Sequence, residues 1–260
     1  MNTFIASMLL GLSMAPGLVA AEQQLELAVP FTDNMILQRE SAVPVWGWDV
    51  PGTKVIVHFA GQAKTAVADK HGDWMVKLDP LKVSREERTF AVKNNRGQAI
   101  TLKGVLVGEV WFSSGQSNMV WTAGKSMCNQ LARDLASAKE DIPIREININ
   151  TVSALYPQKR ATSDDGWKKV SAASGFSALS LSFAHELYKE LGVPIGILLS
   201  AHSNTRIEAF TQRYAIEAHA KLKDDADLIR DADPLTAQGR KAYDQYYADL
   251  KAWQVTASEA

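Results

Sequence analysis

The sequence predicts an α/β protein in two parts: an N-terminal antiparallel β-sandwich (jelly-roll-like) module, then a three-layer α/β/α domain with a parallel sheet. Three observations carry this reading. Before Gly104 the chain consists of short alternating or β-branched runs separated by turn formers. Immediately after it, residues 105–112 form a nearly continuous apolar run, the mark of a strand buried on both faces. Beyond that run, helix-period stretches alternate with two further apolar strands, as in a parallel sheet flanked by helices.

Residues 1–21 stand apart from this fold. They contain no charged side chain, and 4–12 is an apolar run ended by Pro16 and Gly17. Val19-Ala20-Ala21 supplies the small residues a signal peptidase needs, so cleavage is expected after Ala21, with Ala20 as the neighbouring choice. The terminal amine is the only positive charge ahead of the run. A buried helix or a membrane anchor is the alternative, but the run is short and interrupted for a span. The expectation is export to the periplasm or beyond the cell, with no stable membrane span after cleavage.

The module is expected over 22–104. Strands are predicted at 55–59, 63–68, 74–78, 89–92 and 99–102, with turns at Pro51-Gly52, Ala60-Gly61, His71-Gly72-Asp73 and Asn94-Asn95-Arg96-Gly97. The second domain is expected over 105–260. After the strand at 105–112 come helices at 131–138, 178–191 and 207–220, and strands at 144–149 and 195–200. Gly192-Val193-Pro194 is a helix-stop signal before the last of these strands. Residues 221–260 read as helical, with Tyr243, Tyr246, Tyr247, Leu250 and Trp253 forming an apolar face that must pack on something.

Composition excludes several classes. With 46% hydrophobic and 22% charged residues among 260, the chain is neither disordered nor fibrous. The balance of 28 Lys+Arg against 29 Asp+Glu leaves no basic excess for nucleic acid. The single Cys128 cannot form an intramolecular bridge and reads as a small buried hydrophobe. No His-Glu-x-x-His, Cys pair or Gly-rich phosphate loop is present, so no metal or other cofactor is expected.

The chemistry is expected where the 105–112 strand ends, because ligands in parallel α/β sheets bind outside the carboxyl ends of the strands. There the chain reads Ser113-Ser114-Gly115-Gln116-Ser117-Asn118-Met119. A tight turn at Gly115 would expose the Ser117 Oγ and aim backbone N–H groups at the same point, which suits acyl transfer. Taken alone, Gly-x-Ser is ordinary turn chemistry.

The surrounding residues narrow the reading. Gly108-Glu109-Val110-Trp111-Phe112 running into Gly115-Gln116-Ser117-Asn118-Met119 resembles the nucleophile block of the sialate O-acetylesterase family, within the SGNH hydrolase superfamily. Phe31-Thr32-Asp33-Asn34-Met35-Ile36-Leu37-Gln38, Val45-Trp46-Gly47, Gly72-Asp73-Trp74 and Val193-Pro194-Ile195-Gly196 match further along, so the resemblance covers nearly all of 25–211. It implies an O-acetylated carbohydrate substrate, Ser117 as nucleophile and an acetyl-enzyme intermediate. The Ser117 N–H is the implied oxyanion donor, with Gln116, Asn118 and Glu109 as supporting residues that hold the turn. It also implies that the second domain is an incomplete three-layer SGNH-type hydrolase domain.

Two departures stand out. Where the family has Trp-Gly-Gly-Thr, this chain has His202-Ser203-Asn204-Thr205, then Arg206. A second oxyanion N–H is expected from Ser203 or Asn204; a position of positive φ suits Asn204 better. Arg206 is either a sugar contact or a surface charge at a helix start. The family's base, a His three residues after an Asp, is absent. Val55, Ala68, Ser182, Leu199 and Ile216 stand three residues before His58, His71, His185, His202 and His219. Only His202 falls on a loop near the expected site. Two expectations follow: a fragment whose catalytic Asp and His lie downstream or on a partner product, which the C-terminal apolar helix face favours, or a complete protein that binds carbohydrate without turnover.

Overall fold

The computed structural model describes residues 24–139, 141–152 and 158–259. The expected signal segment, 1–21, lies outside the described residues. The chain is mixed α/β. In order it forms β1 (Glu26–Leu27), β2 (Ile36–Gln38), β3 (Val43–Trp48), β4 (Lys54–Phe59), β5 (Gln62–Val67), β6 (Asp73–Leu78), β7 (Ser84–Asn94) and β8 (Ala99–Gly115). Then follow α1 (Ser117–Val120), α2 (Asn129–Ala136), β9 (Ile144–Asn148), β10 (Trp167–Lys169), α3 (Ala178–Leu191), β11 (Ile195–Ala201), α4 (Arg213–Ala218), α5 (Lys223–Ala232) and α6 (Ala237–Glu259).

The first strands alternate as their sequences require. In β4, Val55, Val57 and Phe59 are buried while Lys54 and His58 face water. β6 places Trp74, Val76 and Leu78 inward in the same way. Antiparallel β1, β3 and β6 form one sheet; β5, β4, β7 and β8 form part of a larger one. Val45, Val76 and Leu78 from the first sheet share a buried cluster with Val55, Val57, Phe90, Val92, Val105 and Val107 from the second. Each such side chain contributes roughly 1.5–3 kcal/mol on full burial, which is what clamps the two sheets together.

β8 differs from expectation. The two strands predicted at 99–102 and 105–112 are one strand of 17 residues that also runs on to Gly115. Gly104 does not end it. With φ of +69° it forms an irregularity in the pairing with β7, while Lys103 N–H donates to Asp33 Oδ1 at 2.7 Å. A Cβ at Gly104 would lie 2.6 Å from Asn34 Oδ1, so glycine is required by this close approach. The strand thus pairs antiparallel with β7 in its first half, parallel with β2 at 106–108, and parallel with β11 over 109–115.

The larger sheet continues from β8 through β11 and β9 to β10. β11 lies parallel to both neighbours, and β10, which the periodicity missed, closes the edge antiparallel. One face, carrying Ile144, Ile195 and Ile197, packs on Leu135 of α2 and Leu181 and Ala184 of α3. α3 matches its predicted span: Ser177 Oγ caps it by accepting from Ser180 N–H, and Gly192 ends it at φ +65°. The opposite face differs from a helix-covered layer. Among the described residues it is β2 and the 28–37 segment that cover it: Ile36 lies against Gly196, and the Trp167 indole N–H donates to the Pro30 carbonyl at 2.8 Å.

The C-terminal part also differs. The helix predicted at 207–220 is a 3-10 turn, Ile207–Phe210, and the short α4, separated by extended Thr211 and Gln212. The helix expected over 221–260 breaks at Asp233, because Pro234 pushes its predecessor out of helical conformation. α6 packs on α5, but Tyr246, Tyr247 and Trp253 remain exposed, so the expected apolar face is only partly covered.

Candidate active site

β8 ends at Gly115, whose φ of +145° is one that L side chains rarely adopt. A Cβ there would lie 2.9 Å from Met119 Cγ, so glycine is what lets the strand turn directly into α1. Met119 N–H donates to the Gln116 carbonyl at 2.8 Å, and Trp121 N–H to that of Ser117 at 3.2 Å. Half-buried Ser117 is the first residue of α1. Backbone N–H groups at a helix start have no intrahelical acceptor, so those of Ser117 and Asn118 can serve a developing oxyanion.

β11 delivers the second loop. Ala201 stands opposite Gly115, and His202 N–H donates to the Gly115 carbonyl at 3.0 Å. The 202–205 loop therefore leaves the sheet beside the Ser117 turn. Within it Asn204 takes φ +60°, the conformation that suits it better than Ser203. Exposed Ser203 precedes it. Arg206 is turned toward its own segment: its guanidinium bonds Glu208 at 2.8 Å and Asp225 at 2.9 Å. Those carboxylates, Glu208 foremost, hold its pKa above the ordinary value.

Glu109 departs from its expected role of holding the turn. It lies six residues before Gly115, roughly 20 Å along the strand. There it accepts from Arg39 Nε at 2.6 Å and Gln38 Nε2 at 3.3 Å, while Gln38 Oε1 accepts from Val110 N–H at 2.8 Å. Glu109 thus fastens β8 to the β2 segment. Gln116 and Asn118 are exposed, and among the described residues neither side chain makes a hydrogen bond that would hold the turn. Backbone bonds and Gly115 do that instead.

Of the histidines, His58 lies in β4, His71 in the turn before β6, His185 in α3 and His219 after α4. His202 alone adjoins the Ser117 turn, through its backbone, and its side chain is exposed.

Two groups near the turn escaped sequence reasoning. Ser114, opposite Ser200 in the sheet, buries its Oγ without a hydrogen-bond partner. Glu146 of β9 is buried on the helix-facing side, both oxygens accepting from Ser177 N–H at 3.2 Å. Burial pushes its pKa up to about 8, against the Ser177 N–H bond and Lys168, which favour the charged form. The same region is tied to the Ser117 turn, since Ala178 N–H donates to the Trp121 carbonyl at 2.8 Å and Ala123 N–H to that of Phe176. The available signal was the charged pair Arg145-Glu146 between Ile144 and Ile147 in a strand predicted to be buried.

No family model matches the chain. Sialate O-acetylesterase of Mus musculus is 30% identical over 206 residues, covering 72% of this chain and 38% of that protein. The Homo sapiens sialate O-acetylesterase is 30% identical over 203 residues with the same coverage. Among solved structures, a carbohydrate acetylesterase from Xanthomonas citri is 31% identical, with a TM-score of 0.66, covering 75% of this chain and 44% of that one. The chain spans about two fifths of the length of the curated relatives it matches. Over nearly three quarters of its own length, the chain is similar to sialate O-acetylesterases and to a bacterial carbohydrate acetylesterase.

Proposed function

We propose that the chain carries the nucleophile half of a carbohydrate O-acetylesterase, in a β-sandwich module followed by SGNH-type α/β layering, and that residues 1–21 direct its export. The juxtaposition of the Ser117 turn with the Asn204 loop, through the 3.0 Å bond from His202 N–H to the Gly115 carbonyl, carries this reading. Ser117 Oγ attacks the acetyl carbonyl while its proton passes to a base. The N–H groups of Ser117 and of Ser203 or Asn204 stabilise the oxyanion. As the tetrahedral intermediate collapses, the bond from carbonyl carbon to sugar oxygen breaks and the protonated sugar hydroxyl leaves. Water then hydrolyses the acetyl-serine by the same path.

A serine needs that base, and these 260 residues contain no Asp-x-x-His. The proposal therefore places the pair outside them. Alone, the chain is expected to hydrolyse p-nitrophenyl acetate or an O-acetylated sialoside slowly or not at all. With a product of the same locus supplying Asp-x-x-His, turnover should rise and Ser117→Ala should abolish it. Full esterase rates from the chain alone would overturn the placement of the base; turnover that survives Ser117→Ala would overturn the nucleophile. The same missing motif favours a second reading, a protein that binds acetylated sugar without turnover. Saturable binding of the sialoside, with no product whatever the locus supplies, would establish it.

A further inference from the structure

The sheet of β1, β3 and β6 contributes nothing to the Ser117 turn, yet it carries a cavity of about 470 Å³, within the roughly 300–1,000 Å³ range of small-molecule sites. Its walls are Trp46, Trp48, Trp74 and Met75, with Asp69, Asp73 and Lys159 as the charged groups. The register explains the grouping: Trp46 stands opposite Met75, and Trp48 opposite Asp73. Between these pairs Gly47 faces Trp74, and a Cβ on Gly47 would lie 2.8 Å from Trp74 Cζ2. Glycine is what lets the indole cross the strand.

The polar groups are held in place. Asp73 accepts from Lys159 Nζ at 2.5 Å, and this bond foremost keeps its pKa below the ordinary carboxylate range. Asp69 Oδ1 is bound by the amides of His71 and Asp73. Trp74 is 3% exposed, and its Nε1 is buried without a partner. Trp74 belongs to the buried core and closes the floor of the cavity.

We propose that this cavity binds a neutral sugar ring. The partly exposed Trp46 indole suits the apolar C–H face of a pyranose, carboxylates accept its hydroxyl protons, and the Lys159 ammonium donates to its oxygens. A cationic ligand fits less well, because Arg160 already lies over the Trp48 ring at 4.0 Å. An anionic one fits less well too, because Asp73 already pairs with Lys159 while Asp69 adds a second negative charge. The proposal is independent of the esterase reading, since no residue of the Ser117 turn lines the cavity.

The test is titration of the chain with methyl glycosides of glucose, galactose, mannose and xylose, followed by the indole N–H resonances of its 7 tryptophans. The signals of Trp46, Trp48 and Trp74, assigned through single Trp→Phe variants, are expected to move saturably with at least one glycoside. Met75 is 54% exposed, so Met75→Arg narrows the mouth without touching the core; it should weaken binding at least about tenfold with an unchanged melting temperature. Ser117→Ala should bind as the parent does. No movement with any glycoside, movement confined to Trp111 and Trp121 near the Ser117 turn, equal binding by Met75→Arg, or preference for choline or N-acetylneuraminic acid would each overturn the proposal.

Discussion

Replacing Glu146 by Gln tests whether a buried carboxyl of β9, bonded to the Ser177 N–H, governs the pH dependence of stability. Glu146 is 5% exposed, and burial raises its pKa from an ordinary 4.5 to about 8. The folded state therefore holds a proton that the unfolded chain releases between these values. Stability should fall as pH rises through this window, because the native state binds more protons there. Each unit of difference is worth about 1.4 kcal/mol, so between pH 5 and pH 8 this group removes about 3 kcal/mol. Glutamine keeps an oxygen for the Ser177 N–H and has no proton to lose. Urea unfolding followed by circular dichroism at the two pH values should show the parent losing about 3 kcal/mol from this source and Glu146→Gln losing that much less. The variant should also be the more stable one at pH 8. Equal pH slopes in the two proteins, or a variant less stable than the parent at pH 8, would refute the claim that burial dominates over the Ser177 bond.

Three further outcomes follow from the same geometry. Gly115→Ala forces a side chain into φ +145° and 2.9 Å from Met119 Cγ; it should cost about 1–3 kcal/mol, read as a lower melting temperature. Arg145→Met should cost about 3 kcal/mol in urea unfolding, because the 1% exposed guanidinium bonds the Asn34 and Gly104 carbonyls and Glu87. Ser117→Ala should change stability by less than about 0.5 kcal/mol, since no hydrogen bond depends on its Oγ among the described residues, while removing whatever acetyl-ester turnover the assembled enzyme shows.

What was legible in the sequence was local. Val55, Val57 and Phe59 alternate with Lys54 and His58, and period 2 fixes which face is buried without reference to anything distant. α3 was legible at both ends because Ser177 and Gly192 are the residues that cap and stop a helix. The turn at Gly115 and the positive φ of Asn204 follow from residue type in the same way. What was missed depends on partners far away in the chain. Gly104 read as a boundary, yet Asp33 and Asn34 reach across some seventy residues and carry the strand through it. Glu109, within the block that resembles the esterase family, is recruited by Arg39 instead. Short β10 has too few residues for any period, and only the exposed edge of β9 calls it into being.

The continuity of β8 also explains how a β-rich N-terminal region bears on the chemistry proposed for Ser117. A strand that ended at Gly104 would leave the Ser117 turn positioned by β11 alone. As built, the strand is gripped at three levels before it reaches the turn. Arg145 from β9 bonds the Gly104 carbonyl, β2 pairs residues 106–108, and Gln38 and Arg39 fasten Val110 and Glu109. Each grip fixes the strand along its own axis, and a slip of one residue would turn every side chain to the wrong face. The His202–Gly115 backbone bond joins the Ser117 turn to the Asn204 loop, so their relative position is only as good as the register of β8 against β11. β2 and the residues flanking it help hold β8 in that register, which ties this N-terminal segment to the placement of the Ser117 turn.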